Sequence, residues 1–139
     1  MKKSIAFLLL LVAAIGVRAQ APATVTATDG AVITFETEVI DFGDIGQNTE
    51  QIRTFKFTNT GTAPLIIKSI KGQCGCTSIP DSWPKEPIPP GGTGTFQVKY
   101  DTSVRVGMFD KKIIITSNAT NPVVEVKIKG NVLPAGSGG

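Results

Sequence analysis

The stretch Ile52–Asn59 reads "IRTFKFTN", and the spacing of its phenylalanines decides the fold class. Phe55 and Phe57 stand two apart, with Thr54, Lys56 and Thr58 alternating against them; Ile52 precedes them as a further apolar residue. A period of two belongs to strands, whose successive side chains project to opposite faces. The same alternation recurs outward from this segment. Ile33 and Phe35 share a face in "AVITFE", and Phe96, Val98 and Tyr100 oppose Gln97 and Lys99 in "GTFQVKYD". Val124, Val126 and Ile128 oppose Glu125, Lys127 and Lys129 in "PVVEVKIKG". "PLIIKSIKG" and "KKIIITSN" are more continuously apolar, as expected of central strands. The turn-forming runs "NTGTAP", "PPGG" and "SNATNP" punctuate the pattern, and β-branched residues outweigh any helical periodicity. About seven short strands on this spacing predict an all-β, Ig-like antiparallel β-sandwich over residues 31–133.

The two ends of the chain read differently. Lys2 and Lys3 precede an uncharged apolar run, Ile5–Val17, and Val17-Arg18-Ala19 has the form of a signal-peptidase site. Residues 1–19 are therefore expected to be a signal peptide, cut between Ala19 and Gln20. The apolar run is shorter than the roughly 18 residues that a membrane span requires. Residues 20–30 read as a flexible lead and residues 134–139 as a Gly/Ser tail, with no transmembrane segment after signal removal. The expected location is the periplasm or the cell exterior.

Removal of the signal changes the charge balance. Lys2, Lys3 and Arg18 leave with it, so eleven basic residues face eleven acidic ones. No basic stripe remains for nucleic acid, which argues against such a partner. The chain has no histidine, which removes the commonest general base and the commonest metal ligand together. With no Gly-x-Ser-x-Gly elbow either, no catalytic residue is assigned and the chain is not read as an enzyme.

The only cysteines, Cys74 and Cys76, sit together in "QCGCTSIP" at the head of a proline-rich irregular stretch, Gly72–Gly92. Export favours a disulfide. Closing one across two residues requires the backbone to bend, and Gly75 is the residue that tolerates unusual dihedrals. Such a small ring adds only about 1.6 kcal/mol of loop-closure stabilisation, against about 3 for a fifteen-residue loop. Three roles stay open for the pair: shaping the loop mouth, thiol–disulfide exchange, or holding Cu(I), for which thiolates are suitably soft. Lys71 is the one nearby cation in sequence, and a metal would need help from Asp81 or Glu86. No cofactor is otherwise expected. Trp83, in "PDSWPKEP", is either a partner-binding anchor or a cover for the end of the core. Asp41 and Asp44 around Gly43 read as a turn.

The runs "VIDFGDI", "FKFTNTGTAPLIIKSI", "CGCT", "IPPGGTGTFQVKYD" and the closing "IKG" resemble an exported bacterial family known as domain of unknown function fifteen-seventy-three. The Cys-Gly-Cys-Thr motif falls on Cys74, Gly75, Cys76 and Thr77. The resemblance implies an Ig-like domain similar to the abnormal-spindle, hydin and major-sperm-protein type, and supplies no activity. The expected function is a non-enzymatic module for protein association or envelope structure. Its expected partner is an envelope or other exported protein, gripped through a free sheet edge with Trp83 adding selectivity. The alternative is a thiol-redox or copper-handling protein centred on Cys74 and Cys76.

Overall fold

A computed structural model describes residues 29–136. The expected signal peptide with its Ala19/Gln20 cut, most of the lead and the last three residues of the tail lie outside the described residues. Eight strands follow in order: β1 (Ile33–Phe35), β2 (Val39–Gly46), β3 (Glu50–Asn59), β4 (Ile67–Gly72), β5 (Thr77–Ser78), β6 (Thr93–Asp101), β7 (Gly107–Ser117) and β8 (Val123–Leu133). No helix occurs among the described residues. One sheet has the order β1-β3-β6-β5 and the other β2-β8-β7-β4, giving the two-layer Ig-like sandwich that the alternation predicts.

The alternating residues form the interface between the layers. Phe55 and Phe57 of β3 and Phe96, Val98 and Tyr100 of β6 are buried on one side. Ile113 and Ile115 of β7 and Val126, Ile128 and Val132 of β8 meet them from the other. Fully burying a side chain of this size stabilises the fold by roughly 1.5–3 kcal/mol. Phe55 and Phe96 stack with centroids 5.2 Å apart, and Phe35 meets both edge-on. Ile52 is exposed on the outer face and Arg53 takes the inward position. Strict alternation back from Phe55 demands this, and residue type does not override it.

The structure also corrects two strand readings. "VIDFGDIG" is a strand, β2, that pairs parallel with β8, and the Asp41–Asp44 turn is a bulge inside it. The register slips between Asp41 and Asp44, Gly43 has φ 67°, and its N–H donates to Asp41 Oδ1 at 2.8 Å. The inward residues Phe42 and Ile45 are therefore three apart, which hides the strand from a search for period two. β4 is an edge strand rather than a central one, and it too slips register, between Ile67 and Ser69.

The irregular stretch after β4 crosses from one sheet to the other and returns along the outer side of β6. β5 pairs with Tyr100 and Lys99, Ser82 Oγ accepts from Gln97 N–H at 2.8 Å, and Ile88 bridges to Leu65. The stretch is a strap that covers a sheet edge.

One end of the sandwich is closed. Asn59 is fully buried there: its Oδ1 accepts from the N–H groups of Val32 and Gly61, and its Nδ2 donates to the carbonyls of Ala63 and Ile88. Asn118 and Asn121 tie neighbouring loops in the same manner, to Ile66 with Pro64 and to Ile33. The opposite end holds Cys74, Cys76 and the β6–β7 connection.

Candidate functional site

Cys74 and Cys76 are joined by a disulfide, with Cα atoms 5.3 Å apart, at the point where the chain passes from β4 in one sheet to β5 in the other. Backbone bonds hold both flanks independently of the sulfurs. Gln73 N–H donates to the Lys112 carbonyl at 2.9 Å, Asp101 N–H to the Cys76 carbonyl at 2.8 Å, and Thr77 N–H to the Cys74 carbonyl at 3.2 Å. Thr77 is buried, and its hydroxyl lies 3.9 Å from Cys74 Sγ. An oxidised sulfur carries no proton, so the hydroxyl is the donor in that contact.

The glycines divide the work differently from the expectation. Gly75 has no left-handed φ, and a Cβ there would meet open space, so the bend does not require glycine. Gly72 does: a Cβ on it would come 2.5 Å from the Thr77 carbonyl oxygen, because the two strands cross in contact there.

Both half-buried cysteines line a groove of about 350 Å³ at this open end. Its floor is Tyr100 and Phe109, stacked 3.8 Å apart, with Phe42 packed against both and Arg53 Cζ 4.6 Å above the Phe42 ring. Its rim comes from the β6–β7 connection and the start of β7. Val104 is 67% exposed and Met108 86%, with Val106 exposed between them. Gly107, at φ 105°, makes the turn that feeds Met108 outward. The loop's base is fixed by buried Thr102, whose hydroxyl donates to the Thr49 carbonyl at 2.8 Å. Asp101 Oδ1 fastens the same base by accepting from the Ser103 hydroxyl and N–H, at 2.6 and 2.9 Å. Three large apolar side chains are thus presented to solvent on a firmly seated loop. Large apolar side chains gathered on an exposed surface are a common mark of binding sites.

The charged side chains lining this groove are Arg105, Lys111 and Asp110. Burial raises the pKa of the Tyr100 hydroxyl; Arg105 opposes that rise and Asp101 adds to it. The Ser103 hydroxyl and N–H hold the Asp101 carboxyl below the usual carboxylate range, against the opposing effect of desolvation.

The remaining expected site residues lie elsewhere. Trp83 is half-buried in the strap and packs against the core, with Lys85 Nζ 3.2 Å over its ring. Asp81 pairs with Lys85, and no group of three or more metal-ligating side chains occurs among the described residues. The residues that sequence reasoning passed over are Val104, Arg105, Met108 and Phe109. Their one signal is Met108, an apolar residue at an outward position of β7, next to Gly107.

The profile of the family described as "Protein of unknown function (DUF1573)" matches residues 33–132. No curated protein matches the chain. Among solved structures, a protein of unknown function from Porphyromonas gingivalis W83 is similar at 19% identity and TM-score 0.65, over 78% of this chain and 50% of that one. The chain therefore spans half the length of that protein. The ASH/PapD-like domain 7 of human CEP192 is similar at 8% identity and TM-score 0.62, over 85% of this chain and 96% of the domain. The E. coli chaperone DraB is similar at 9% identity and TM-score 0.52, over 78% of this chain and 58% of that one. At such identities the likeness is one of fold.

Proposed function

This chain belongs to the family described as Protein of unknown function (DUF1573), and from that premise we propose a non-enzymatic, exported module that binds another envelope or exported protein through the open end of its sandwich. The observation that carries the reading is the exposure of Val104, Val106 and Met108 on a seated loop beside the disulfide. Partners matched by bulk charge are disfavoured, since the expected mature chain is balanced. Export rests on the form of residues 1–19, and N-terminal sequencing of protein recovered from the envelope, beginning at Gln20, would support it.

Strand addition at a sheet edge is the less favoured mode. β1 has three residues and β5 two, the strap runs along the β6 side, and both β2 and β4 carry register slips. Short, covered and bulged edges are how sandwiches discourage added strands. The two modes separate by photo-crosslinking in living cells, with a benzophenone side chain placed at Met108 or at Lys68 on the β4 edge. Discrete protein adducts from Met108, lost on adding Val104→Ser, support binding through the end. Adducts from Lys68 alone would replace it with edge pairing.

A further inference from the structure

We infer that the Cys74–Cys76 disulfide undergoes exchange with a dithiol carried on an apolar, mildly acidic segment of the bound protein; this rests on the binding end proposed above. The backbone bonds at Gln73, Thr77 and Asp101 already fix the crossover. The ring closed by the sulfurs spans only three residues, so it adds little to folding. As a staple the bond is therefore nearly redundant.

Its placement suits chemistry instead. Both cysteines are half-buried and line the groove whose rim is Val104 and Met108, so whatever covers that rim is brought against them. Cys76 also lines a second, more polar groove of about 510 Å³ on its other side, which leaves it approachable from two directions. Arg105 and Lys111 share the first groove with the sulfurs, and cations stabilise a thiolate. With only Asp110 against them, the groove has one positive charge in excess, which favours a segment bearing a carboxylate.

The exchange runs in two steps. A thiolate of the partner attacks Cys76 Sγ, forming a mixed disulfide, and the bond to Cys74 breaks. Its electron pair leaves on Cys74 Sγ, where the Thr77 hydroxyl is already in place as a donor. The partner's second thiolate then attacks the partner's own sulfur in the mixed disulfide, closing the partner's disulfide and releasing the Cys76 thiolate. The two protons from the partner's thiols end on Cys74 and Cys76. The partner is oxidised by two electrons and this chain is reduced by two.

The test uses the folded protein and a short synthetic dithiol peptide with leucines and one glutamate around its thiols. A second peptide carries serines in place of the leucines. The leucine peptide is expected to reduce the protein about tenfold faster than the serine peptide, the order of effect that burying one large apolar side chain supplies. Val104→Ser with Met108→Ser should erase that difference. A one-cysteine peptide quenched with iodoacetamide should be found on Cys76, with the alkyl group on Cys74.

Equal rates with the two peptides, or an adduct confined to Cys74, would overturn the inference. Binding of a fluorescein-labelled leucine peptide to the Cys74→Ser, Cys76→Ser protein, read by fluorescence anisotropy, keeps the fates apart. If the peptide binds that variant but does not reduce the native protein, exchange falls and the binding end stands. If it neither binds nor reduces, both fall. A double-serine variant that does not fold, by circular dichroism, would also overturn the inference, because the bond would then be a staple.

Discussion

The two ends of this sandwich are built from the same strands and finished in opposite ways. At one end Asn59, Asn118 and Asn121 turn their side-chain amides onto loop backbone, and Ile88 and Leu65 close the core beneath. At the other, Phe42, Tyr100 and Phe109 pack as tightly as the phenylalanines of the middle, yet the loop above them carries apolar residues outward. Thr102 anchors that loop at its base and leaves its tip to solvent. Side-chain amides bonded to loop backbone mark the closed end, and large apolar side chains turned to solvent mark the open one. The contrast separates what the domain needs in order to fold from what it exposes.

Substitutions at the two ends should therefore differ most in their cost to folding. Asn59→Ala strips four side-chain hydrogen bonds from a fully buried position and leaves loop N–H and carbonyl groups without partners. At about 1–3 kcal/mol for each buried polar group left unpaired, the loss should be at least about 3 kcal/mol by urea denaturation. A loss below about 1 kcal/mol would mean that the closed end is not where the fold is secured.

The disulfide comes next. Cys74→Ser with Cys76→Ser should cost no more than about 1.6 kcal/mol, the closure entropy of so small a ring. A loss like that of Asn59→Ala would make the open end structural and erase the contrast. Smaller still, Val104→Ser with Met108→Ser should change unfolding free energy by less than about 0.5 kcal/mol, as exposed substitutions do. Val104→Ser alone should abolish the crosslinks formed from a benzophenone at position 108.

Much of this division was legible in the sequence, and where it was not the reason is geometric. Phe96, Val98 and Tyr100, like Val126 and Ile128, fall inward as strict alternation requires. β2 escaped because its bulge at Gly43 spaces Phe42 and Ile45 by three, and β4 looked central because its slip lets Ile67 and Ile70 both face inward. The cysteine pair was visible, as was its neighbour Thr77. The groove was not, since Val104 and Met108 come near Cys74 through pairing of β4 with β7, a contact between residues more than forty positions apart. Composition announces an apolar residue, but only register tells whether it faces the core.

Tyr100 offers the finest probe of the open end. It is the chain's single tyrosine, so absorbance near 295 nm on raising the pH reads its ionisation alone. Burial against Phe109 disfavours the phenolate, so the folded midpoint should lie above the ordinary value of about 10. For an acid whose folded pKa is raised, the linked stabilisation is complete below the unfolded pKa and is lost as pH climbs through the folded one. The domain should accordingly weaken above about pH 10 and show no Tyr100-linked change below it. Arg105 works against the shift from across the groove, so Arg105→Gln should move the midpoint higher still. An unchanged midpoint in that variant would place the Arg105 charge away from the ring, and would remove one of the two cations from the groove beside the disulfide.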